Sequence, residues 1–366
     1  MKVSDLDYHL PGELIAQAPL PDRSASRLLV VSRRTGRFED RQFRDLPRLI
    51  EPTDFLVLND SRVFPARLLG NRESGGKIEV LLLRPVDFAP RSETTDPIGG
   101  NSQDKFGNNT CSQMVWEALV RPKRKMRLHS QLVFSPELTG LVIDNSEGEK
   151  ALIEFQFQGD FHAILEKMGH VPLPPYIRRA DSTEDRERYQ TVYANTAGSI
   201  AAPTAGLHFT PAILEQLKSR GTEYFMITLH VGYGTFRPVK TEDVGDHRID
   251  PESFEISPAA ADGIRRALRA GRRLVAVGTT TARVLEYWKR QSLTLEPQCG
   301  ETNLFIYPPF QLQMVQGLLT NFHLPRSSLF ALVCAFLGTD LAHACYRHAV
   351  QERYRFYSYG DCMLIL

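Results

Sequence analysis

The sequence predicts a mixed α/β (α+β) main domain with an inserted small antiparallel β-barrel domain. Residues 66–158 contain short β-rich segments with no helix signal between them, whereas strand and helix signals alternate after residue 159. Consecutive short strands are typical of a barrel, and alternation is typical of an α/β sheet. The length of 366 residues also exceeds what one core usually supports. We therefore expect an α/β domain over 1–65 and 159–366 and a barrel over 66–158.

Turn residues separate the strand candidates of the predicted barrel. Residues 153–158 alternate strictly between apolar and polar side chains, as in a strand with one buried face. The stretch 87–113 is polar and rich in Gly, Asn and Ser, and it predicts a long flexible loop between two strands. The strand candidates are GKIEVLLLRPV (76–86), MVWEALVRP (114–122), SQLVFSP (130–136), TGLVIDN (139–145) and KALIEFQFQ (150–158).

Helix caps and buried strands alternate through the α/β part. A Ser or Thr at the N-cap position begins each of three predicted helices, and in two of them Pro follows at the first helical position. Open α/β sheets bind ligands at the carboxyl ends of their strands, so unusual loops after these strands are candidate sites. The strands are predicted over 54–60, 223–231, 273–278, 302–308 and 317–325, and the N-caps at Thr210, Ser257 and Ser327.

The composition excludes several classes of protein. A net charge of +1 provides no global field for a polyanion, so any nucleic-acid contact must come from local patches. The five cysteines show neither CxxC nor zinc spacing, which predicts reduced thiols and no metal site. The longest apolar run, at 329–337, is far shorter than the roughly 20 residues of a membrane span. We expect a cytoplasmic protein that does not contact a membrane.

Two glycine-containing segments follow predicted strands. In VAVGTTTARVLE, the helix begins at Gly278, Thr279 and Thr280, where backbone N–H groups and hydroxyls can bind a carboxylate or phosphate. A tight turn before a capped helix explains the same residues equally well. In HVGYGTF, Gly232 and Gly234 lack the third glycine and the following helix of a dinucleotide-binding loop.

Three histidines, His208, His230 and His323, lie at strand ends or in loops of the α/β part, with apolar or small neighbours. A single histidine at such a position is usually structural, but three of them favour a shared pocket with groups that titrate near neutral pH. Basic stretches at 121–127, 176–180 and 265–274 are either solvated faces or phosphate contacts, and the residues alone leave both interpretations open.

Longer motifs occur in one order along the chain. They are LIAQAPLPDRSASRLLV, LNDSRVFPARL, SGGKIEVLLL, GHVPLPPYI, YQTVYA, AAPTAGLHF, TLHVGYGTF, VAVGTTTARVLE, NLFIYP, LLTNFHLP and YRFYSYGD. With these motifs the chain closely resembles, from about residue 1 to 361, the S-adenosylmethionine:tRNA ribosyltransferase-isomerase family of queuosine biosynthesis. The resemblance implies a larger α/β part with an inserted six-stranded barrel.

The resemblance also implies a reaction. The ribosyl part of S-adenosylmethionine is transferred to 7-aminomethyl-7-deazaguanine at the wobble position of a tRNA and isomerised, which gives epoxyqueuosine-tRNA and releases adenine and methionine. S-adenosylmethionine is then a co-substrate, and no cofactor is bound permanently. The expected partners are this co-substrate and the tRNA, and the default oligomeric state is a monomer.

Site roles follow as hypotheses from the resemblance and the chemistry. Histidines near neutral pKa suit the proton transfers that the reaction requires. Two departures from the family pattern, Pro309 for Gly and Asp250 for a second His, leave the local loop path and the role of Asp250 unassigned. The candidates are His208, His230 and His323 for catalysis, with His323 and Asn321 positioning ribose or base; Thr204, Gly206, Gly232, Gly234, Gly278, Thr279, Thr280 and Asn321 for substrate binding; and Arg62, Arg67, Arg178 and Arg179 for tRNA.

Two other classes of function remain open from the residues. A non-catalytic RNA-binding protein would bind tRNA through the barrel without releasing adenine. A methyltransferase with a small-molecule acceptor would yield S-adenosylhomocysteine, although the absence of a glycine-rich dinucleotide loop weighs mildly against it.

Overall fold

The computed structural model describes residues 1–86, 112–145, 148–236 and 238–366. The chain packs as two compact units, one formed by Met1–Val63 with Leu173–Leu366 and the other by Phe64–Pro172. Residues 87–111 of the predicted loop lie outside the described residues, and Ser112 and Gln113 already belong to a strand.

The regular elements are as follows. The strands are β1 Arg27–Val31, β2 Phe38–Gln42, β3 Asp54–Asn59, β4 Ser61–Val63, β5 Arg67–Arg72, β6 Lys77–Val86, β7 Ser112–Arg121, β8 Gln131–Ser135, β9 Leu138–Asp144, β10 Lys150–Phe157, β11 Thr196–Ser199, β12 Glu223–Leu229, β13 Glu252–Ile256, β14 Arg273–Val277, β15 Gln298–Thr302, β16 Gly317–Asn321 and β17 Cys362–Ile365. The α-helices are α1 Leu46–Leu49, α2 Phe161–Met168, α3 Asp185–Arg188, α4 Pro211–Ser219, α5 Pro258–Arg269, α6 Thr279–Gln291, α7 Ser328–Leu337 and α8 Thr339–Gln351.

The larger unit contains a nine-stranded mixed sheet in the order β15-β13-β12-β3-β14-β16-β17-β1-β2. Its central strands β12, β3, β14 and β16 are parallel. Successive residues of a strand point to opposite faces, and β3 divides accordingly: Phe55 and Val57 join one apolar core, and Leu56 and Leu58 join the other. The sheet is therefore buried on both faces, as parallel sheets require.

The predicted helix N-caps are confirmed. Thr210 accepts a hydrogen bond from the backbone N–H of Ile213, and Ser257 and Ser327 make the equivalent contacts at α5 and α7. The predicted strand over 302–308 is wrong after Thr302. Side chains satisfy the backbone there, because Arg283 Nε donates to the carbonyl of Leu304 and the Leu304 amide donates to Thr302 Oγ1.

The smaller unit is a closed antiparallel barrel in the order β10-β7-β6-β5-β8-β9, so the predicted fold class is confirmed. Helix α2 packs within this unit although it follows the predicted barrel range. Its buried Phe161 explains the placement, because the centroid of its ring lies 5.8, 5.6 and 5.0 Å from the ring centroids of Trp116, Phe155 and Phe157, respectively. As a domain boundary, residue 158/159 stays a prediction.

None of the described helices is by itself long and apolar enough to cross a membrane. Only α7 and α8 taken together reach that length and composition, and they are bent by 116° relative to each other.

Candidate functional site

A cleft in the larger unit lies where the central parallel strands end. Because β12, β14 and β16 run in one direction, the segments that follow them meet at the same edge of the sheet. The cleft has an empty volume of about 480 Å³, part of which is open to solvent. Its lining includes Thr204, Thr235, Gly278, Thr279, Thr280, Asn321 and His323.

The N-terminus of α6 forms one wall of this cleft. Gly278 has φ +94°, a conformation that favours glycine, and its amide donates to the carbonyl of Leu319 at 2.8 Å. No side chain of the described residues caps the helix, so its first N–H groups are left for an external acceptor. The hydroxyl of Thr280 is buried without a hydrogen-bond partner among the described residues. This wall therefore suits an anionic group.

Asn321 presents a fixed hydrogen-bond acceptor in the same cleft. Its Nδ2 donates to the carbonyl of Tyr357 at 3.1 Å and to Nε2 of His208 at 3.3 Å. An amide nitrogen only donates, so Nε2 of His208 is unprotonated and Nδ1–H donates to Ser26 Oγ at 2.9 Å. Asn321 is 2% exposed, and its Oδ1 finds no partner in the described part of the chain. His208 thus orients Asn321.

Burial changes the expected chemistry of two histidines. Burial, with smaller contributions from the charges of Arg23 and Arg355, lowers the pKa of His208 to about 3. Burial alone lowers the pKa of His323 to about 3, and its Nε2 lies 2.8 Å from Thr320 Oγ1. The sequence predicts titration near neutral pH for these groups. The structure corrects this, because a fully desolvated imidazole resists the charged form.

His230 lies just after β12 and is only partly buried. Its imidazole packs against Gly198, where an added Cβ would approach the ring to 2.8 Å. The next residue, Val231, lines the cleft, whereas His230 is not among the lining residues. Burial lowers the pKa of His230, and the nearby carboxylates of Asp60 and Glu255 oppose the shift. Nδ1 of His230 is buried without a partner in the described structure.

A buried ion pair that the sequence did not reveal holds the loop after β12. Glu252 Oε1 accepts hydrogen bonds from the Gly232 amide and from Thr235 Oγ1, both at 2.9 Å. Glu252 Oε2 accepts from Arg283 Nη1 at 2.7 Å, and both charged side chains are at most 5% exposed. Thr235 lines the cleft, so this pair fixes one of its walls. The sequence signal for this pair is Arg283, a charged residue on the buried side of the predicted helix α6.

The predicted glycines divide between the cleft and its supports. Of the four, only Gly278 lines the cleft. A Cβ on Gly206 would lie 2.1 Å from the hydroxyl oxygen of Tyr193, so Gly206 permits close packing behind Thr204. Gly232 donates to Glu252, and Gly234 packs against Asp250.

The four predicted tRNA-binding arginines differ in their available charge. Arg67 pairs with Glu79 at 2.9 Å. Arg179 makes two hydrogen bonds to Asp185, at 2.6 and 2.8 Å, which compensate its charge. Arg62 and Arg178 have exposed side chains. Among the described residues, no group of three or more His, Cys, Asp or Glu side chains is arranged to hold a metal ion.

The fold and the cleft define an α/β protein with an inserted barrel, in which a mainly apolar cleft with a few polar groups at the strand ends suits a small ligand with an anionic group. Residues 3–365 match the model of a family described as queuosine biosynthesis protein, and the chain belongs to that family.

Named relatives extend over the whole chain. A Solibacter usitatus protein named S-adenosylmethionine:tRNA ribosyltransferase-isomerase is 49% identical over 383 aligned residues, which cover 100% of both chains. A Symbiobacterium thermophilum protein of the same name is 48% identical with the same coverage. The crystal structure of an S-adenosylmethionine tRNA ribosyltransferase from Thermotoga maritima is 35% identical, covers 99% of this chain and 100% of its own, and gives a TM-score of 0.53.

Proposed function

We propose that this protein transfers and isomerises the ribosyl part of S-adenosylmethionine onto 7-aminomethyl-7-deazaguanine at the wobble position of a tRNA. The products are epoxyqueuosine-tRNA, adenine and methionine. The observation that carries the proposal is the full-length similarity to a relative named for this activity. The cleft supports the proposal, because it contains the N-terminus of α6, which suits an anion, and the buried acceptor Oδ1 of Asn321 at the end of β16.

The N-terminus of α6 binds the carboxylate of the methionine part or a phosphate. Donors come from the backbone N–H groups at Thr279 and Thr280 and from the Thr280 hydroxyl, which has no partner among the described residues, and the cleft lining contains no carboxylate. Asn321 accepts a hydrogen bond from a donor on the ribose or the base, because its Oδ1 is the only part of that amide without a protein partner in the described structure.

Proton transfer is assigned to His230. The reaction needs a base for the ribose C5′ proton, which the neighbouring sulfonium acidifies, and a proton for the departing adenine. His230 keeps partial solvent access, and it precedes Val231 of the cleft. Burial lowers its pKa while Asp60 and Glu255 oppose the shift, so the neutral imidazole that can accept a proton is favoured. His208 and His323 instead act as neutral positioning residues, because burial lowers the pKa of both imidazoles to about 3.

The wider assignments complete the proposal. S-adenosylmethionine serves as a co-substrate, and the protein holds no cofactor permanently. The tRNA is its macromolecular partner, with Arg62 and Arg178 as exposed contacts. The protein works as a monomer in the cytoplasm, with an α/β catalytic domain and an inserted barrel domain.

One incubation tests the function. Protein, S-adenosylmethionine and tRNA bearing 7-aminomethyl-7-deazaguanine are combined, and adenine, methionine and the modified nucleoside are measured by mass spectrometry. We expect all three in equal amounts, and none with tRNA that lacks the modified base. Formation of S-adenosylhomocysteine would indicate a methyltransferase, and tRNA binding without adenine release would indicate a binding protein.

Variants test the assigned roles. His230→Ala should reduce turnover by about 10²–10⁴-fold, the usual contribution of general acid–base catalysis. His162→Ala is the matched control, since His162 is exposed on α2 of the barrel unit. Turnover of the His230 variant within a few-fold of the control, with intact folding, contradicts the assignment.

A further inference from the structure

A second depression in the larger unit lies beside His208. It has an empty volume of about 270 Å³, part of which is open to solvent, and its lining includes Arg23, Ser26, Arg188 and His208. Arg355 is close by, since its charge and that of Arg23 both lower the pKa of His208 after the larger effect of burial. We call Arg23, Arg188 and Arg355 the arginine cluster. Two of its members, Arg23 and Arg355, lie in the motifs LIAQAPLPDRSASRLLV and YRFYSYGD, and neither arginine has a role in the cleft described above.

Neutral backbone oxygens, rather than carboxylates, hold the arginine cluster. Arg23 donates to the carbonyls of Gln190 at 2.8 Å, Leu207 at 3.1 Å and Glu187 at 2.7 Å. A carbonyl orients a guanidinium but does not neutralise it. Arg23 therefore keeps its full charge in a half-buried position, and its neighbour Arg188 lowers its pKa further after burial.

The other two members are held in the same way. Arg188 donates to the carbonyls of Pro21 and Leu20, and Arg355 donates to that of Ala18. Neither of them, nor Arg23, forms an ion pair within the described ranges. Nε of Arg188 and Nη1 of Arg355 are buried donors for which those ranges supply no acceptor.

Burial is the largest effect on the pKa of Arg23 and of Arg355 and lowers both, while the charges of Glu187 and Asp361, respectively, oppose it without forming an ion pair in the described ranges. Asp185 accepts from Arg179 and from the hydroxyl of Tyr359. Asp361 accepts the backbone amides of Arg27 and Arg355. Arg23 and Arg188 thus bring two positive charges to the depression, and Arg355 adds a third charge close by, so an anion in the depression would offset charges that no ion pair balances in the described ranges.

We propose that the arginine cluster binds a phosphodiester group of the tRNA. Guanidinium groups match the geometry of phosphate oxygens, and such contacts position a nucleic acid without reading its sequence. The site lies next to the substrate cleft through His208, which donates to Ser26 on one side and accepts from Asn321 on the other. This inference rests on the proposed function, because it assigns the phosphate to the tRNA substrate.

Salt-dependent RNA binding tests the proposal. The affinity of the full chain for the tRNA substrate is measured without S-adenosylmethionine over a series of KCl concentrations. Each lost phosphate contact should reduce the slope of log affinity against log salt by about 0.7–0.9. Arg188→Gln and Arg355→Gln should each show this reduction and about a tenfold weaker affinity, whereas Arg188→Lys should keep most of the slope.

The matched control is Arg220→Gln, because Arg220 is an exposed arginine after α4 that is not part of the cluster. Urea unfolding of each variant identifies any folding defect, and the KM for S-adenosylmethionine should stay unchanged. A second titration uses inorganic phosphate as the competitor. Phosphate should displace the RNA only at millimolar concentration.

The outcomes separate the two proposals. Unchanged slopes in both cluster variants, in folded protein, show that the arginines only hold backbone segments, and they overturn the phosphate site. Displacement by micromolar phosphate assigns the site to a free anion and overturns the tRNA assignment. In both cases adenine release by the wild-type protein still supports the proposed function, whereas the absence of adenine release with the modified tRNA refutes that function independently of the slopes.

Discussion

The buried pair of Glu252 and Arg283 allows a quantitative prediction. Their side chains are 4% and 5% exposed, and the Nη1–Oε2 distance is 2.7 Å. Removal of one partner leaves an uncompensated charge in the core, which typically costs about 3–5 kcal/mol. We expect Arg283→Met to reduce the free energy of unfolding by about 3 kcal/mol, near the lower limit, because Gly232 and Thr235 still donate to the remaining carboxylate.

The double variant Glu252→Gln, Arg283→Met should lose less free energy of unfolding than the two single variants lose in sum. It removes both charges, and glutamine keeps an acceptor for the Gly232 amide. A buried ion pair exchanged for neutral groups is often close to neutral in stability. The coupling between the two sites should therefore reach about 2–3 kcal/mol, the upper part of the range for residues in contact.

Urea unfolding followed by tryptophan fluorescence measures these values. The chain has two tryptophans, and Trp288 is fully buried in α6, the helix that carries Arg283. A Trp116→Phe background removes the signal of the barrel unit. Arg266→Met is the matched control, because Arg266 pairs with Glu223 at the surface and such pairs contribute less than about 1 kcal/mol. If Arg283→Met costs no more than this control, the reasoning from burial is refuted.

Three further predictions concern other parts of the larger unit. The pKa values of His208 and His323 in the folded protein are about 3, below the ordinary 6.5, so the unfolded chain binds more protons at mildly acidic pH. The free energy of unfolding should therefore decrease below pH 6.5 by about 1.4 kcal/mol per pH unit for each histidine. If His208→Asn leaves the dependence of the unfolding free energy on pH unchanged, the prediction is wrong. Gly263→Ala should cost about 1–3 kcal/mol in urea unfolding despite better helix propensity, because the new Cβ meets the Phe225 ring at 2.2 Å; a gain in stability refutes it. Glu286→Ala should cost at least 3 kcal/mol by the same assay, since this fully buried carboxylate accepts three backbone amides over residues 313–315; a cost below 1 kcal/mol refutes it.

Local sequence patterns were sufficient to predict most of the helices and strands. The N-cap at Thr210 and the alternation over 153–158 each depend on residues within a few positions, and both elements form where they are predicted. The strand predicted over 302–308 does not form after Thr302, and the contact made there lies outside the segment, because Arg283 of α6 donates to the Leu304 carbonyl. A local apolar run carries no information about such a distant donor.

The sequence by itself determined the fold class, the family and the identity of the strand-end motifs, because caps, periodicity and motif order are local and survive without coordinates. The tertiary structure decided what those motifs do physically. Asn321 meets His208 across 113 positions, and His208 meets Ser26 across 182. Those contacts and the burial that accompanies them turn a candidate proton carrier into a neutral positioning group. Desolvation and long-range pairing depend on the whole packed molecule, and no short stretch of sequence encodes them.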